Sequence, residues 1–350
     1  MYKTADGDEI FVVDTHVHYW DGRAENFLNV HGEQFIDCFY GYHKALSPPD
    51  RLWSRDKFRR YSIEDMHRDL FLEGYVDVAV FQPTYLKDFY KNGFNTTEQN
   101  ALLKEKYPEK FVLNGSFDPR DGARGLDTLR AKHEKYNLRG VKLYTAEWKG
   151  DSRGWKLTDP WAERYLAECQ KLGITNIHVH KGPTILPLNR DAFDVADIDS
   201  AATTFPELNF IVEHCGLPRL DDFCWIAVQE PNVYGGLAVA MAFIHCRPDY
   251  FNHVLSELLF WLGSDRLTFA SDYGIWTPKW IIDKFMALDF PDEIKRDKGV
   301  SLDLDVKRKI LGLNAARLYD LEVPAPMRIA DRASESGSAR QVVEQLEATP

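Results

Sequence analysis

Residues 13–18 read Val-Asp-Thr-His-Val-His, and this stretch is the strongest indication of the fold in the sequence. Side chains alternate between the two faces of a strand, so Asp14, His16 and His18 share one face and the two valines share the other. Polar side chains at the inner end of a strand are typical of the C-terminal mouth of an α/β barrel. Two imidazoles there can bind one divalent metal ion, although an isolated His-x-His can also be a hydrogen-bonded pair in the core.

Beyond this strand, short apolar runs alternate with segments that carry helix-start signals, such as Asp159-Pro160 and Thr277-Pro278. Strands that alternate with helices predict βαβ units and a parallel sheet. Eight such units in about 260 residues predict a closed (β/α)8 barrel, the TIM barrel, as a single α/β domain. The predicted strands span residues 10–18, 76–83, 111–117, 140–145, 176–180, 209–214, 233–240 and 267–272.

Two segments lie outside this repeat and set the predicted domain boundaries. Residues 21–61 form a long loop insertion after the first strand and are rich in aromatic residues. Because a structureless connection of this length is uncommon, we expect it to fold over the barrel mouth as a lid or to form an interface. Residues 323–350 begin near a Pro-Ala-Pro break, so we predict a mobile or partner-docked tail behind a barrel of residues 9–322.

The His-x-His pattern recurs at the ends of later predicted strands. His178 and His180 end the fifth strand, His214 ends the sixth and Asp272 ends the eighth. All of them lie where the loops of a barrel mouth begin, and histidines of an ordinary core would be scattered through its layers. Strand alternation turns His214 inward and Glu213 outward, so we expect Glu213 to orient a loop or to pack against a helix.

This arrangement resembles the amidohydrolase superfamily. Within it, the chain is most similar to the "amidohydrolase 2" branch, which contains aminocarboxymuconate-semialdehyde decarboxylase-like enzymes. The resemblance covers roughly residues 9–322, and it is specific for the superfamily but weak for the substrate. The segments that carry it are Val13-Asp-Thr-His-Val-His18, Arg139-Gly-Val-Lys-Leu143, Val212-Glu-His-Cys-Gly216, Phe269-Ala-Ser-Asp272 and Gly312-Leu-Asn-Ala-Ala316.

The resemblance implies a metal centre at the barrel mouth. It implies that His16, His18 and Asp272 bind a first metal ion and that His180 is the ligand on the fifth strand. His214 would either bind metal or hold the activated water and the substrate oxyanion, and Asp272 would also take a proton from that water. Bound metal can lower the pKa of water from about 15.7 to about 7, which gives hydroxide at neutral pH.

The number of metal ions stays open at this stage. His178 is either an additional ligand, which favours two metals, or a residue one layer deeper. Dinuclear relatives carry a carboxylated lysine on the fourth strand, where this chain has Lys142, which is either modified or points away from the metal. Zinc, manganese and iron all suit such a site, with one or two ions per chain. The candidate ligands are His16, His18, His178, His180, His214 and Asp272.

The resemblance implies a metal-dependent hydrolase or decarboxylase that acts on a small organic acid, lactone or amide. A metal-activated water or a polarised carboxylate would drive the step, and Arg219 is a candidate partner for a substrate carboxylate. Tyr144, Glu147 and Trp148 are candidates for lining the pocket.

Two alternatives remain. The first is a dinuclear iron or manganese oxygenase component, similar to 2-aminoisobutyrate hydroxylase, which would hydroxylate an unactivated C–H bond with an external reductase. The second is a non-catalytic barrel subunit of a complex.

Composition excludes several other classes of protein. Acidic residues exceed basic ones by 54 to 43, which gives a net charge of −11 and argues against a nucleic-acid binder. The longest apolar run, residues 237–244, is far too short to span a membrane, and residues 1–9 do not resemble a signal peptide. The five cysteines form no C-x-x-C pair, so we expect reduced thiols in a cytoplasmic protein. We expect a small-molecule substrate and a homo- or hetero-oligomer.

Overall fold

The computed structural model describes residues 1–329, and a ring of eight parallel strands lies at its centre. The strands are paired in chain order from the first to the eighth. A hydrogen bond from Thr15 N to Phe269 O at 3.1 Å and a parallel bridge between Val17 and Tyr273 bring the last strand against the first. The predicted (β/α)8 barrel is therefore confirmed. Its strands are β1 (Val13–Val17), β2 (Val78–Phe81), β3 (Phe111–Gly115), β4 (Gly140–Leu143), β5 (Asn176–His180), β6 (Asn209–Glu213), β7 (Val233–Gly236) and β8 (Leu267–Thr268).

Helices connect the strands around the outside of the barrel. Proline is the first residue of the helices Pro160–Leu172 and Pro278–Ala287, where its missing N–H has no partner to lose. Thr96 caps the helix Thr97–Lys106 by accepting from the backbone N–H of Gln99. Two π-helical turns, Arg68–Leu72 and Lys309–Leu313, continue the short helices Ile63–His67 and Leu304–Arg308. The helices are α1 (Val30–Leu46), α2 (Arg55–Arg59), α3 (Ile63–His67), α4 (Thr97–Lys106), α5 (Gly122–Tyr136), α6 (Pro160–Leu172), α7 (Ala196–Thr204), α8 (Leu220–Gln229), α9 (Phe243–Cys246), α10 (Pro248–Leu262), α11 (Pro278–Ala287), α12 (Asp292–Lys298), α13 (Leu304–Arg308) and α14 (Asn314–Tyr319).

The main hydrophobic core lies between the strands and the surrounding helices. Val141, Val179 and Val212 face this layer and are fully buried with helix residues such as Leu166. Inside the barrel, by contrast, several buried side chains are polar. Such groups need hydrogen-bond partners, and they supply one another's, as described below.

The insertion after β1 is helical and folds over the barrel mouth. It contains α1 and α2, and Phe35, Phe39 and Phe58 of this segment are buried. Phe39 and Tyr42 reach down to the pocket in the mouth. The buried aromatic side chains give this lid a core of its own. Because they point inward, they do not form an exposed apolar patch.

The two ends of the described chain meet at the opposite end of the barrel from the mouth. Met327 is buried in a small cluster with Phe11 and Tyr319. The start of the predicted tail, residues 323–329, therefore contacts the barrel, while residues 330–350 lie outside the described residues. A short hairpin pairs Tyr2–Lys3 with Glu9–Ile10. No helix within residues 1–329 is both long enough and apolar enough to cross a lipid bilayer.

Candidate metal centre

The barrel mouth holds a pocket beneath the lid. Its floor is polar and comes from the ends of the strands and the loops that follow them. The floor residues are His16, His18, Lys142, His180, His214 and Asp272. The walls are mostly apolar and come from the lid and from the later loops. The larger wall residues are Phe39, Tyr42, Leu46, Tyr144, Ile185, Val239, Phe243, Ile275 and Trp276.

His16, His18 and Asp272 converge on one point of this floor. The Nε2 atoms of the two imidazoles are 3.1 Å apart, and Asp272 Oδ1 lies 3.1 Å from His18 Nε2 and 3.7 Å from His16 Nε2. All three residues are buried, and they form a group of donor atoms that lie within 4.8 Å of one another. Two ring nitrogens and one carboxylate oxygen are donors that zinc and similar ions accept.

The far side of each ring fixes which nitrogen faces this point. His18 Nδ1 lies 2.7 Å from the carbonyl oxygen of Gln82, which can only accept, and 2.8 Å from the side-chain amide nitrogen of Asn95. Donation from Nδ1 to the nearer carbonyl is the arrangement that leaves Nε2 free for a metal ion. His16 Nδ1 lies 2.9 Å from the Glu213 carboxylate, which requires the same tautomer. Burial lowers the pKa of His16 to about 3, so its ring is neutral. Both Nε2 lone pairs therefore point at the same place, and the residues present fit a metal ion.

Asp272 completes the group from a turn and not from a strand. β8 ends at Thr268, and Asp272 has a φ of 59°, in the left-handed region. Burial alone would raise the pKa of this carboxyl. The adjacent imidazoles of His16 and His18 outweigh burial and hold the pKa below its usual value. Asp272 is therefore ionised and available as a ligand or as a proton acceptor.

His180 and His214 form a second pair beside this group. His214 Nδ1 lies 3.1 Å from the carbonyl oxygen of Ala238, so that nitrogen donates. Its Nε2 then accepts from His180 Nδ1 at 3.0 Å. Burial lowers the pKa of both rings, and the centroid of the His214 ring lies 5.5 Å from that of His16. The pair is thus neutral and close enough to contact a ligand bound at the metal group.

Lys142 lies at the edge of the metal group. It is fully buried, and its Nζ is 3.3 Å from His16 Nε2. No carboxylate within residues 1–329 lies within ion-pair distance of it. Burial lowers the pKa of Lys142 to about 8, against the opposite influence of Glu213 and Asp272. A buried lysine without a partner beside a metal group is a candidate for contact with a substrate carboxylate.

Glu213 points into the barrel, which corrects the expectation that it faces a helix. β6 ends at Glu213, and His214 opens a turn with a φ of 62°, so strand alternation does not continue to His214. Within the strand, Glu213 shares the inner face with Ile211. The expectation was wrong because it extended the strand by one residue and then counted faces backwards from His214.

The Glu213 carboxylate joins the metal group to a buried polar network below it. Its Oε1 lies 2.5 Å from His178 Nδ1, and His178 Nε2 is 2.6 Å from the Tyr319 hydroxyl. Asn114 then donates to the same hydroxyl at 2.9 Å. Both ring nitrogens of His178 are therefore engaged one layer below the metal group. The structure does not bring His178 to that group, and its role as a ligand stays a prediction.

The other sequence candidates divide between the pocket and the surface. Tyr144 lines the pocket, whereas Glu147 and Trp148 line a separate cleft. Arg219 is half exposed and is paired with Asp194 and Asp222 on the surface, so it does not reach the pocket as a carboxylate partner. Trp276, which the sequence analysis did not select, lines the pocket from the turn after β8.

Comparisons with known proteins agree with this architecture. A sequence model of a family described as amidohydrolase matches residues 13–321. No curated protein matches the chain. An uncharacterised TIM-barrel protein of Bordetella bronchiseptica is 18% identical over 89% of this chain and 99% of its own, with a TM-score of 0.67.

Two further solved structures are similar. The 2,6-dihydroxybenzoate decarboxylase from Rhizobium is 15% identical over 89% of this chain and 99% of its own, with a TM-score of 0.59. A zinc-bound amidohydrolase from Burkholderia multivorans is 16% identical over 89% of this chain and 100% of its own, with a TM-score of 0.58. At this identity the likeness establishes the shared fold.

Proposed function

Because the chain belongs to the amidohydrolase family, we propose that it is a metal-dependent enzyme that decarboxylates or hydrolyses a small organic acid. The observation that carries the proposal is the convergence of His16, His18 and Asp272 on one point in the pocket floor. Zinc bound to the similar amidohydrolase from Burkholderia multivorans supports the choice of metal.

The residues of the floor have separate tasks in this proposal. His16, His18 and Asp272 hold the metal, which when bound supplies a Lewis acid that polarises a carboxylate or carbonyl oxygen. Lys142 contacts the substrate carboxylate from the side. Ionised Asp272 accepts a proton from a water or hydroxyl next to it. The His180–His214 pair is neutral, so it can take up a second proton.

The apolar walls favour decarboxylation over hydrolysis. A carboxylate loses its hydration shell in such a pocket, which destabilises it relative to the more dispersed charge of the transition state. The proton that Asp272 takes from a substrate hydroxyl or from water passes to the carbon that bears the carboxylate, and the carbon–carbon bond then breaks to release carbon dioxide. Phe39 and Tyr42 of the lid add to these apolar walls. The decarboxylase from Rhizobium, whose named substrate is 2,6-dihydroxybenzoate, supports an aromatic acid as the first substrate class to examine.

The proposal predicts turnover that depends on metal and on Asp272. Zinc- and manganese-loaded protein is incubated with hydroxybenzoic acids, and carbon dioxide release is measured. The same protein is incubated with lactones and amides of small acids, and the carboxylic acid product is measured by chromatography. We expect turnover in one class, with a loss of about 100-fold or more in Asp272→Asn, because a carboxylate that both binds metal and moves protons cannot be replaced by an amide.

Asp222→Asn is the matched control, because Asp222 is an exposed aspartate paired with Arg219 on the surface. It is expected to retain the turnover of the unchanged protein. Metal-loaded protein that turns over neither class would contradict the proposed function, and so would an Asp272→Asn variant with full activity.

The oxygenase alternative gains no support from the geometry. Among residues 1–329, His16, His18 and Asp272 are the one set of three potential metal donors that converges within 4.8 Å. A dinuclear site would need a second set of comparable geometry.

A further inference from the structure

A chain of buried polar side chains lies beneath the metal group and joins it to the last helix, α14. The Tyr319 hydroxyl of α14 lies 2.6 Å from His178 Nε2, and His178 Nδ1 lies 2.5 Å from Glu213 Oε1. Tyr319 and His178 are each 1% exposed, so bulk water does not supply their hydrogen-bond partners. The donors and acceptors of these side chains must therefore match one another.

The Glu213 carboxylate determines which nitrogen of His178 carries a proton. Burial raises the pKa of this carboxyl, but His16 and Lys142 outweigh burial and hold it well below its usual value. Glu213 is thus ionised, and its oxygens can only accept hydrogen bonds. Burial lowers the pKa of the His178 ring, which is therefore neutral and has one N–H group. With the carboxylate next to Nδ1, that proton lies on Nδ1, and Nε2 requires a donor.

The neighbouring Gln82 amide does not change this assignment. Gln82 Nε2 lies 3.1 Å from His178 Nδ1, farther away than the Glu213 oxygen, and it donates to the Thr15 carbonyl oxygen at 2.7 Å. If Nδ1 accepted from Gln82 instead, its lone pair would face the Glu213 carboxylate at 2.5 Å. Two acceptors repel each other at that distance, so donation from Nδ1 to Glu213 is the favourable arrangement.

Tyr319 supplies the donor that His178 Nε2 requires. Asn114 Nδ2 lies 2.9 Å from the Tyr319 hydroxyl and 3.2 Å from Gln82 Oε1, so its two hydrogens are donated to these two oxygens. Burial raises the pKa of the Tyr319 hydroxyl, which therefore keeps its proton. Because the hydroxyl oxygen already accepts from Asn114, its own proton is directed at His178. The hydrogen bonds then run in one direction, from Asn114 through Tyr319 and His178 to Glu213.

The end of α14 is fixed against the barrel strands. The Tyr319 carbonyl oxygen accepts from Arg139 Nη2 at 2.8 Å, and the Leu318 carbonyl oxygen accepts from Asn176 Nδ2 at 2.7 Å. Arg139 directly precedes β4, and Asn176 is the first residue of β5, the strand that carries His178. The Tyr319 hydroxyl is therefore held in place relative to the ring that it contacts.

We propose that Tyr319 is a positioning residue for the metal group and acts on it through His178 and Glu213. By donating to His178, it orients the ring that binds one oxygen of Glu213, whose other oxygen lies 2.9 Å from His16 Nδ1. This inference rests on the proposed function and adds to it a residue of the last helix that has no contact with the metal or the substrate.

Tyr319→Phe tests this role by metal binding alone. The ring is kept and the hydroxyl is lost, so His178 Nε2 becomes a buried acceptor without a donor, and the orientation of the ring is no longer fixed. We expect the zinc affinity, measured by competition with a chelator, to fall about 10-fold. This is the lower end of the loss that follows removal of a partner of a metal ligand, because Tyr319 acts from further away.

Tyr165→Phe is the matched control. Tyr165 is a fully buried tyrosine of α6, outside the barrel, and its hydroxyl donates to the Gly122 carbonyl oxygen at 2.8 Å. Both variants lose one buried hydroxyl that donates a hydrogen bond, so both are expected to be less stable to denaturant than the unchanged chain. Only Tyr319→Phe is expected to bind zinc more weakly. Equal zinc affinities in the two variants would overturn the inference.

A double-mutant cycle shows whether Tyr319 acts through Glu213. Two residues that act in series are not additive, so Tyr319→Phe should change the zinc affinity less than about 2-fold when Glu213→Gln is already present. A residue that merely stabilises the fold would have the same effect in both backgrounds. A loss of about 10-fold in both backgrounds would therefore overturn the proposed path.

Nitrogen NMR of the unchanged chain, labelled with ¹⁵N-histidine and free of metal, tests the direction of the chain without any substitution. We expect His178 to be protonated on Nδ1 and not on Nε2, whatever the stability of the variants. A proton on Nε2 would overturn the inference. An unchanged chain that does not bind zinc would contradict the proposed function, whereas zinc binding that is equally tight in Tyr319→Phe would overturn this inference alone.

Discussion

Glu213 serves two histidines with one carboxylate. Its Oε2 lies 2.9 Å from His16 Nδ1 and its Oε1 lies 2.5 Å from His178 Nδ1. Burial would raise the pKa of this carboxyl, but His16 and Lys142 outweigh burial and hold it well below the usual value. An ionised carboxylate can only accept, so its approach to Nδ1 from behind the metal group favours the tautomer of His16 that leaves Nε2 free for a metal ion.

Glu213→Gln tests this role at the scale of one residue. Glutamine has one acceptor oxygen and one N–H₂ group, so one of the two imidazole N–H groups would face another donor. We expect zinc affinity, measured by competition with a chelator, to fall roughly 10- to 100-fold. Glu207→Gln, an exposed change just before β6, is the control and should leave the affinity unchanged. Equal affinities in all three proteins would show that Glu213 does not position the ligand.

At this scale, the sequence predicted residue types better than residue positions. The types and spacing of His16, His18 and Asp272 led to the group that the structure brings together. Glu213 was assigned to the wrong face because the apolar run before it gives no sign of where the strand ends. Trp276 was missed because its place in the pocket wall depends on a turn whose course the sequence pattern does not specify.

At the scale of elements, the Glu213 side chain of β6 lies against the backbone of the neighbouring strand β7. Gly236 pairs in register with Glu213. A β-carbon on Gly236 would lie 2.5 Å from Glu213 Oε2, well inside van der Waals contact. Position 236 of β7 therefore needs a glycine, because the Glu213 carboxylate occupies the space that a side chain would fill.

Gly236→Ala is expected to displace the Glu213 carboxylate. We predict weaker zinc binding, by about 10-fold, and a loss of stability of about 1–3 kcal/mol from overpacking. Chelator competition and denaturant unfolding measure the two effects. Gly41→Ala is the control: Gly41 lies in α1 with open space around it, so alanine should leave zinc binding unchanged and should not destabilise the chain. A Gly236→Ala variant that binds zinc as the unchanged chain does would contradict this packing argument.

The strands are shorter than the apolar pattern predicts. Predicted strand 267–272 is reduced to Leu267–Thr268, and predicted strand 233–240 ends at Gly236. The residues that follow stay buried, so their apolar character continues although the backbone leaves the ladder. His214 follows β6 and Asp272 follows β8, and their φ values of 62° and 59° place both in turns and not on strands. Periodicity marks burial and therefore cannot locate the residue at which a strand becomes a turn.

At the scale of the whole molecule, the sequence predicted the barrel and only part of the lid. Eight apolar runs separated by helix signals were enough for the (β/α)8 fold. The insertion was expected as a long loop, yet α1 buries Phe35, Ile36, Phe39 and His43 on one face. That spacing is helical, and Asn29 caps the helix by accepting from His31 N. The sequence therefore contained a helix pattern in this segment, but its many aromatic residues drew attention to a lid or an interface instead.

We propose that one metal ion is held by His16, His18 and Asp272. The most direct measurement is the zinc content of the purified full chain by elemental analysis after exposure to zinc and then to a weak chelator. His16→Ala and Asp272→Asn remove one ligand each, and His253→Ala removes an exposed histidine as a control. We expect about one zinc per chain in the unchanged protein and in the control, and almost none in the two ligand variants. Ligand variants that retain the zinc content of the unchanged protein would contradict the proposal.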